Sequence, residues 1–312
     1  MAPIWLGDIV MALPAIADVR RALPDAAIVV AARPALAPLF ELVPEVNGIA
    51  DASREGVQAA LLLPNSFHSA WTVYRAGVPE RWGYRTDFRG RLLTRAVQLP
   101  GRVHQVDYYR RLVRELGFPN AAGEPRLTVS SERRRTAADV LARAGWDGRT
   151  TLAAIAPGAA YGGAKRWAPQ SFAGLARDLA RDGVQTVVVG GAADRETADL
   201  VIEAIGHGVA PAPIDLVGRT DLPALAGVLT HCRALITNDS GAMHVGAAVG
   251  VPVTAVFGPT DETATAPLGG SHRVVKHDVW CRPCMLRECP IDHRCMRGVG
   301  VDAVAAAARR TL

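Results

Sequence analysis

The sequence predicts an α/β protein of two Rossmann-like halves facing each other across a cleft, and three observations carry that prediction. At 312 residues the chain exceeds the usual size of a single core. Apolar runs of strand length alternate with segments of helical periodicity almost throughout, as in parallel sheets covered by helices. That alternation breaks once, in a turn-rich middle. Hydrophobic residues make up 49% of the chain and aromatics only 5%, so Ala, Val and Leu supply the apolar content, which suits sheets buried on both faces.

In chain order, IVMALPAIADVRRALP (9–24) spaces its apolar residues at three and four and ends at proline, which predicts a helix, with Gly7 and Asp8 at the turn before it. AAIVVAA (26–32) and VQAALLLP (57–64) read as buried strands, the second running into Asn65, Ser66 and His68. The segment 117–149 holds a strand-like RLTV and one helix capped by Ser130 or Ser131. The boundary is placed at its end, giving halves of 1–149 and 150–312, with the C-terminal helix free to pack back on the first. In the second half TLAAIAPG (151–158), QTVVVGG (185–191), ALITND (234–239) and VPVTAVFGP (251–259) read as strands and SFAGLARDLARDG (171–183) as a helix. Cys232 falls in an apolar helical pattern and is expected in the core.

No run of 18 apolar residues appears, nor a charged start followed by an apolar stretch, so a soluble cytoplasmic protein is expected. The net charge is +5, and only Lys165 and Lys276 are lysines among 35 basic residues. Ten arginines between Arg75 and Arg114 suit an anionic partner such as a phosphorylated lipid or a sugar nucleotide, or else a solvated basic face. With no RNA-binding aromatic signature and no helix-turn-helix pattern, nucleic acid ranks last.

Three strand-to-helix junctions carry chemistry. In TNDSGAMHVGAAVG (237–250) a strand delivers Asn238, Asp239, Ser240 and Gly241 to the start of a helix that holds His244. Unpaired N–H groups there, backed by the macrodipole, form an anion site, unless Ser240 or Asp239 simply caps the helix. APGAAYGGAKRWAP (156–169) is glycine-rich and carries Gly158, Lys165 and Arg166. It lacks the Walker A order, yet a lysine on a small-residue loop suits a diphosphate. VVGGAADRE (188–196), with Gly190, is expected as a third wall. In the first half Asp8 reads as a helix cap or as a general base for an acceptor hydroxyl, and Asn65, Ser66 and His68 are hydrogen-bonding types suited to a sugar.

LGD near the start, LPNSFHSA, PGAAYGGAKRWAP and TNDSGAMHVGAAVGVPVTAVFGPT stand in an order that resembles the ADP-heptose:lipopolysaccharide heptosyltransferases of glycosyltransferase family 9. The second and third segments are most similar to its heptosyltransferase II branch. The resemblance implies a GT-B fold, a cytoplasmic location peripheral to the inner membrane, and inverting transfer of heptose from ADP-L-glycero-D-manno-heptose to a lipid A–Kdo inner-core acceptor. It implies no cofactor or metal in catalysis. By it Asp8 matches the base, Lys165 the phosphate-binding lysine, and Asp239, Ser240, Gly241 and His244 the donor loop. The rival readings are an epimerase or hydrolase acting on nucleotide sugars, and a binding module without catalysis.

Two departures stand out. The family begins with a full strand before LGD, whereas MAPIW spans only about 17 Å when extended. In WCRPCMLRECPIDHRCM (280–296), Cys281, Cys284, Cys289 and Cys295 follow one another at spacings x2, x4 and x5 with His277 and His293 nearby. That pattern fits a structural zinc or an unmetallated thiol cluster, and a reducing cytoplasm disfavours disulfides.

Overall fold

The computed structural model describes residues 1–51, 56–121 and 123–312. The chain divides into two compact units, Met1–Thr128 and Val129–Leu312.

The first unit opens with α1 (Leu6–Ala22), which buries Ile9, Val10, Leu13 and Ile16. β1 (Val29–Val30) pairs in parallel with β2 (Gly48–Ile49). β3 (Ala59–Leu62), β4 (Glu80–Tyr84) and β5 (Arg95–Val97) form a second parallel sheet in that order. α2 (Phe67–Arg75) follows β3, and α3 (Gln105–Glu115) packs on α1. The strand expected over 26–32 is therefore only two residues of ladder. On its other edge Ala2 donates to Ala31 O at 2.9 Å, and Met1 O accepts from Leu63 N at 3.3 Å. The α-ammonium of Met1 donates to Leu61 O at 2.7 Å, and its burial lowers its pKa to about 6. Beside it lies a cavity of about 460 Å3 lined by Ile9, Ile16, Val29, Val30, Ala59 and Leu61.

In the second unit six parallel strands form one sheet: β6 (Leu152–Ala156), β7 (Gln185–Val188), β8 (Ile214–Asp215), β9 (Cys232–Asn238), β10 (Val253–Phe257) and β11 (Arg273–Lys276). Their spatial order is β11-β10-β9-β6-β7-β8, the 3-2-1-4-5-6 arrangement of a dinucleotide-binding sheet. β6 and β10 are buried at every residue, which is why they read as continuous apolar runs and not as alternating ones. The helices are α4 (Ser131–Arg143), α5 (Pro169–Arg181), α6 (Arg195–Ile205), α7 (Leu222–Leu229), α8 (Gly241–Ala248), α9 (Glu262–Thr265), α10 (Arg294–Arg297) and α11 (Val301–Arg309). Ile155, Phe172, Leu175, Leu179 and Ile236 join Val304, Ala305 and Ala308 of α11 in one core. Burying each of the larger of these side chains contributes about 1.5–3 kcal/mol.

The division falls at 128/129, not near 149, because α4 packs on α7. A Cβ on Gly227 would stand 3.0 Å from Ala137 Cβ, so the two helices approach at a glycine. Ser130 caps α4 by accepting from Arg133 N at 3.2 Å, while RLTV forms no strand. Cys232 is buried as expected, but it opens β9 and lies in no helix; burial pushes its thiol up to about 12.

Candidate functional site

In the 3-2-1-4-5-6 order the neighbours β6 and β9 mark the switch point, where connections leave the sheet in opposite directions and open a crevice beyond the carboxyl ends. Both glycine-rich and TNDSG junctions start there. Register pairs Ala156 with Thr237, so the two loops emerge side by side.

Lys165, on the short turn Gly163–Lys165 after β6, meets Asp239, just beyond β9, at 2.6 Å. Thr260 Oγ1 donates to the same Asp239 Oδ2 at 2.6 Å. The pair is largely sheltered, with side chains 13% and 6% exposed. Lys165 Nζ also stands 4.7 Å from the centre of the Tyr161 ring. Lys276, the other lysine, binds Glu262 at 2.6 Å and Asp278 at 3.3 Å, so it ties down the loop after β10.

Ser240 occupies the N-cap position of α8 without making a capping bond; its Oγ instead lies 3.1 Å from Thr237 Oγ1. The helix start at Gly241 thus has no side-chain cap, the arrangement in which N–H groups suit an anion. His244 is buried one turn further on. Arg166 Nε is buried without a hydrogen-bond partner, a donor that an anionic ligand would satisfy.

Three of the residues expected at the donor also shape the loops. Asn238 is 0% exposed: its Oδ1 accepts from Trp167 N at 2.9 Å and its Nδ2 donates to Pro157 O at 2.7 Å, so it pins both ends of the Lys165 loop. A Cβ on Gly158 would lie 2.1 Å from Asp194 Oδ1, and one on Gly190 would lie 3.0 Å from Asp194 Oδ2. These glycines make room for Asp194, which accepts from Gly191 N at 2.9 Å within the third wall and stands against Gly158 of the first. Tyr161, Thr260 and Asp194 escaped the sequence reading, because their partners are distant in the chain.

In the first unit Asp8 lies in the first turn of α1, three residues past the N-cap Trp5, so it is not the cap. Burial first, and the Asp8 carboxylate second, raise the pKa of Tyr109; burial and, more weakly, Asp8 also raise that of Tyr108. Asn65 Nδ2 donates to Tyr108 Oη at 2.6 Å, which places Asp8, Asn65 and the two tyrosines in one neighbourhood. Paired tyrosines in a chain this poor in aromatics were the signal available. Ser66 caps α2 by accepting from Ser69 N at 3.2 Å, and His68 is exposed one position into the helix.

The arginines from 75 to 114 do not form one phosphate-facing set. Arg89 is fully buried and donates to Tyr84 O at 2.9 Å and Ser69 Oγ at 3.0 Å, and Arg110 pairs with buried Asp18 at 3.3 Å. Arg75, Arg85, Arg91, Arg95, Arg102, Arg111 and Arg114 remain exposed. Cys281, Cys284, Cys289 and Cys295, all free, line one cavity of about 20 Å3 with Asp292 and His293. Among the described residues no three His, Cys, Asp or Glu groups already stand in a metal-ligating arrangement.

A switch point bearing a lysine, an orphaned guanidinium nitrogen and an uncapped helix start has the chemistry of an anion site, and a chain of two α/β units has the GT-B-like fold of nucleotide-sugar glycosyltransferases. The chain belongs to glycosyltransferase family 9 (heptosyltransferase), whose profile matches residues 53–294. It is 31% identical to lipopolysaccharide heptosyltransferase 2 of Salmonella typhimurium over 305 residues, covering 88% of this chain and 86% of that one. The Escherichia coli K12 lipopolysaccharide heptosyltransferase 2 is 30% identical with the same coverage. Among solved structures, E. coli ADP-heptose lps heptosyltransferase II matches with a TM-score of 0.86 at 27% identity, over 99% of this chain and 96% of that one.

Proposed function

We propose that this glycosyltransferase moves heptose from ADP-L-glycero-D-manno-heptose to the lipopolysaccharide inner core with inversion at the anomeric carbon. The observation that carries the donor assignment is the Lys165–Asp239 pair at the switch point, beside the uncapped start of α8. The names of the relatives, heptosyltransferase 2 at about 30% identity, favour heptose over other sugars.

The reaction needs the acceptor oxygen made nucleophilic and the leaving diphosphate stabilised. Asp8 supplies the base: its carboxylate takes the acceptor hydroxyl proton as that oxygen attacks, and Asn65 and His68 offer hydrogen bonds to the acceptor sugar. Asp239 holds one ammonium hydrogen of Lys165, leaving the other two for the diphosphate. Lys165, Arg166 and the N–H groups from Gly241 onward meet the charge that grows as the glycosidic bond breaks.

No helix among the described residues is long and apolar enough to cross a membrane. A peripheral position at an anionic bilayer is supported by the face of α2, where Phe67 stacks on Trp71 and Trp71 on Tyr74, all three exposed, beside Arg75 and Arg81. Phe88 is 97% exposed. Aromatic side chains flanked by arginine suit the headgroup region of anionic lipid.

A structural zinc on Cys281, Cys284, Cys289 and Cys295 is favoured by their shared cavity, which has room for a single water-sized species. The thiols would have to draw in around the ion.

The experiment that tests the main reading incubates the protein with a panel of nucleotide sugars and truncated lipopolysaccharide cores and weighs the product. A core heavier by one heptose supports it. Hydrolysis or epimerisation of the nucleotide sugar without acceptor would replace it with the enzymatic rival, and binding without turnover with the other.

A further inference from the structure

The cysteine-bearing segment 280–296 has no part in the donor site as described so far, yet it makes four hydrogen bonds to the loop that carries Lys165. Ala164 N donates to Arg287 O at 2.9 Å, and Gly163 N donates to Glu288 Oε1 at 2.9 Å. Tyr161 Oη donates to Met285 O at 2.7 Å. His293 Nε2 lies 2.6 Å from Ala164 O, so this nitrogen carries the proton and donates. The two glycines of the loop answer this contact. A Cβ on Gly162 would fall 2.4 Å from Arg287 O, and one on Gly163 would fall 2.6 Å from Glu288 Oε2. The GG of AYGGAKRW is therefore dictated by a strand of chain more than 120 residues away in sequence, since |i−j| is 125 for the Gly163–Glu288 bond.

The same segment holds the opposite side of the ion pair. Met285 N donates to Pro259 O at 2.9 Å, and Arg282 Nε donates to Gly258 O at 2.9 Å, next to the Thr260 that donates to Asp239. His293 itself sits at φ 59, a backbone region uncommon for a non-glycine residue, and its own N–H goes to Cys289 Sγ at 3.3 Å. Its ring is thus aimed at Ala164 by the chain around it.

We propose that residues 280–296 act as a strap that sets the height of Lys165 at the diphosphate, with His293 and Glu288 as positioning residues for donor binding. The proposal rests on Lys165 being the donor's phosphate contact. Lys165 meets the diphosphate before and during transfer, so loosening its loop weakens ground and transition states alike. That raises the Michaelis constant for the donor by more than it lowers kcat.

The test compares His293→Ala, His293→Gln and Glu288→Ala in the full chain, by ADP calorimetry, donor KM and kcat, and melting temperature. His293→Ala should raise the ADP Kd and the donor KM by roughly tenfold, the equivalent of one hydrogen bond and its desolvated partner. His293→Gln, which can still donate to Ala164 O, should restore most of the loss. In a Lys165→Ala background His293→Ala should add nothing, because it acts through that ammonium. Unchanged donor affinity in His293→Ala, or a full extra loss on top of Lys165→Ala, overturns the strap. Should His293→Ala fail to fold, Glu288→Ala, at an exposed position, decides by the same readings. If Lys165→Ala itself leaves ADP binding intact, the donor reading fails instead.

Discussion

Lys165 and Asp239 are 74 residues apart in sequence, yet their ammonium and carboxylate meet at 2.6 Å with little access to solvent. The lysine proposed to receive the diphosphate is thus already balanced by an acid that Thr260 also holds. Removing either partner strands a sheltered charge. Lys165→Ala is expected to cost about 3 kcal/mol of stability and to weaken ADP roughly 10- to 100-fold. Lys165→Ala combined with Asp239→Asn should recover much of the melting temperature while ADP affinity stays low. Calorimetry and thermal melts read the two effects apart. Recovery of both together would make the lysine a purely structural residue.

Asp8 lies inside the first turn of α1 and does not cap it, so Asp8→Asn leaves the cap untouched and gives up a charge worth about 0.3–1 kcal/mol at the helix dipole. An amide takes no proton. Turnover should fall by about 10² to 10⁴ with ADP affinity intact. Near-normal turnover where chemistry limits the rate would move the base elsewhere, with His68 next to be tested.

The stacked Phe67, Trp71 and Tyr74 with their neighbouring arginines should bring the protein to vesicles containing anionic lipid and not to neutral ones. Flotation should weaken as salt rises, because exposed charges are screened beyond about 10 Å at 0.1 M. Trp71→Ser with Tyr74→Ser should abolish it. Equal flotation of the double variant would assign the face to solvent.

If the four thiols hold zinc, native mass spectrometry should find about one metal per chain. Chelation should then lower the melting temperature without removing kcat, since a closed four-ligand site leaves no open position for chemistry. A metal-free chain of unaltered stability returns the cluster to plain thiols. Iron in place of zinc would keep the site and change the ion.

The Met1 amine gives a pH dependence of known sign. Its pKa of about 6 in the folded chain lies below the ordinary 8.0, so between these values the unfolded chain holds the extra proton. Stability of the chain with a free amine is full above about pH 8, falls as pH drops towards 6, and levels off below. The loss is on the order of 3 kcal/mol at most. Denaturant melts across that window check it, and acetylating the amine should flatten the curve.

The sheet of the second unit was legible because burial on both faces leaves continuous apolar runs, as in LAAIA and VTAVF. Its switch-point loops were legible because Lys165 and the TNDSG turn interrupt such runs with polar residues. Residue roles were less so. A buried amide that pins a loop and one that faces a ligand are the same letter, so the loop-pinning bonds of Asn238 are invisible in the sequence. Gly158 and Gly190 read as phosphate-loop glycines, and the fold adds Asp194 as a close neighbour that only glycine admits. The boundary went wrong because the attachment of α4 is written in its contact with Gly227, far along the chain.

The nitrogen of Met1 points inward, against Leu61 and beside a cavity of about 460 Å3 between β1 and β3. Whatever is bonded to that nitrogen therefore enters the protein before it reaches water. An acetyl group would replace a costly cation with a neutral amide. A polar affinity tag placed there would meet the same surroundings and be forced either to disrupt them or to pull Met1 out. For handling this protein, the carboxyl end, where Thr311 and Leu312 are partly exposed, is the gentler place to attach anything.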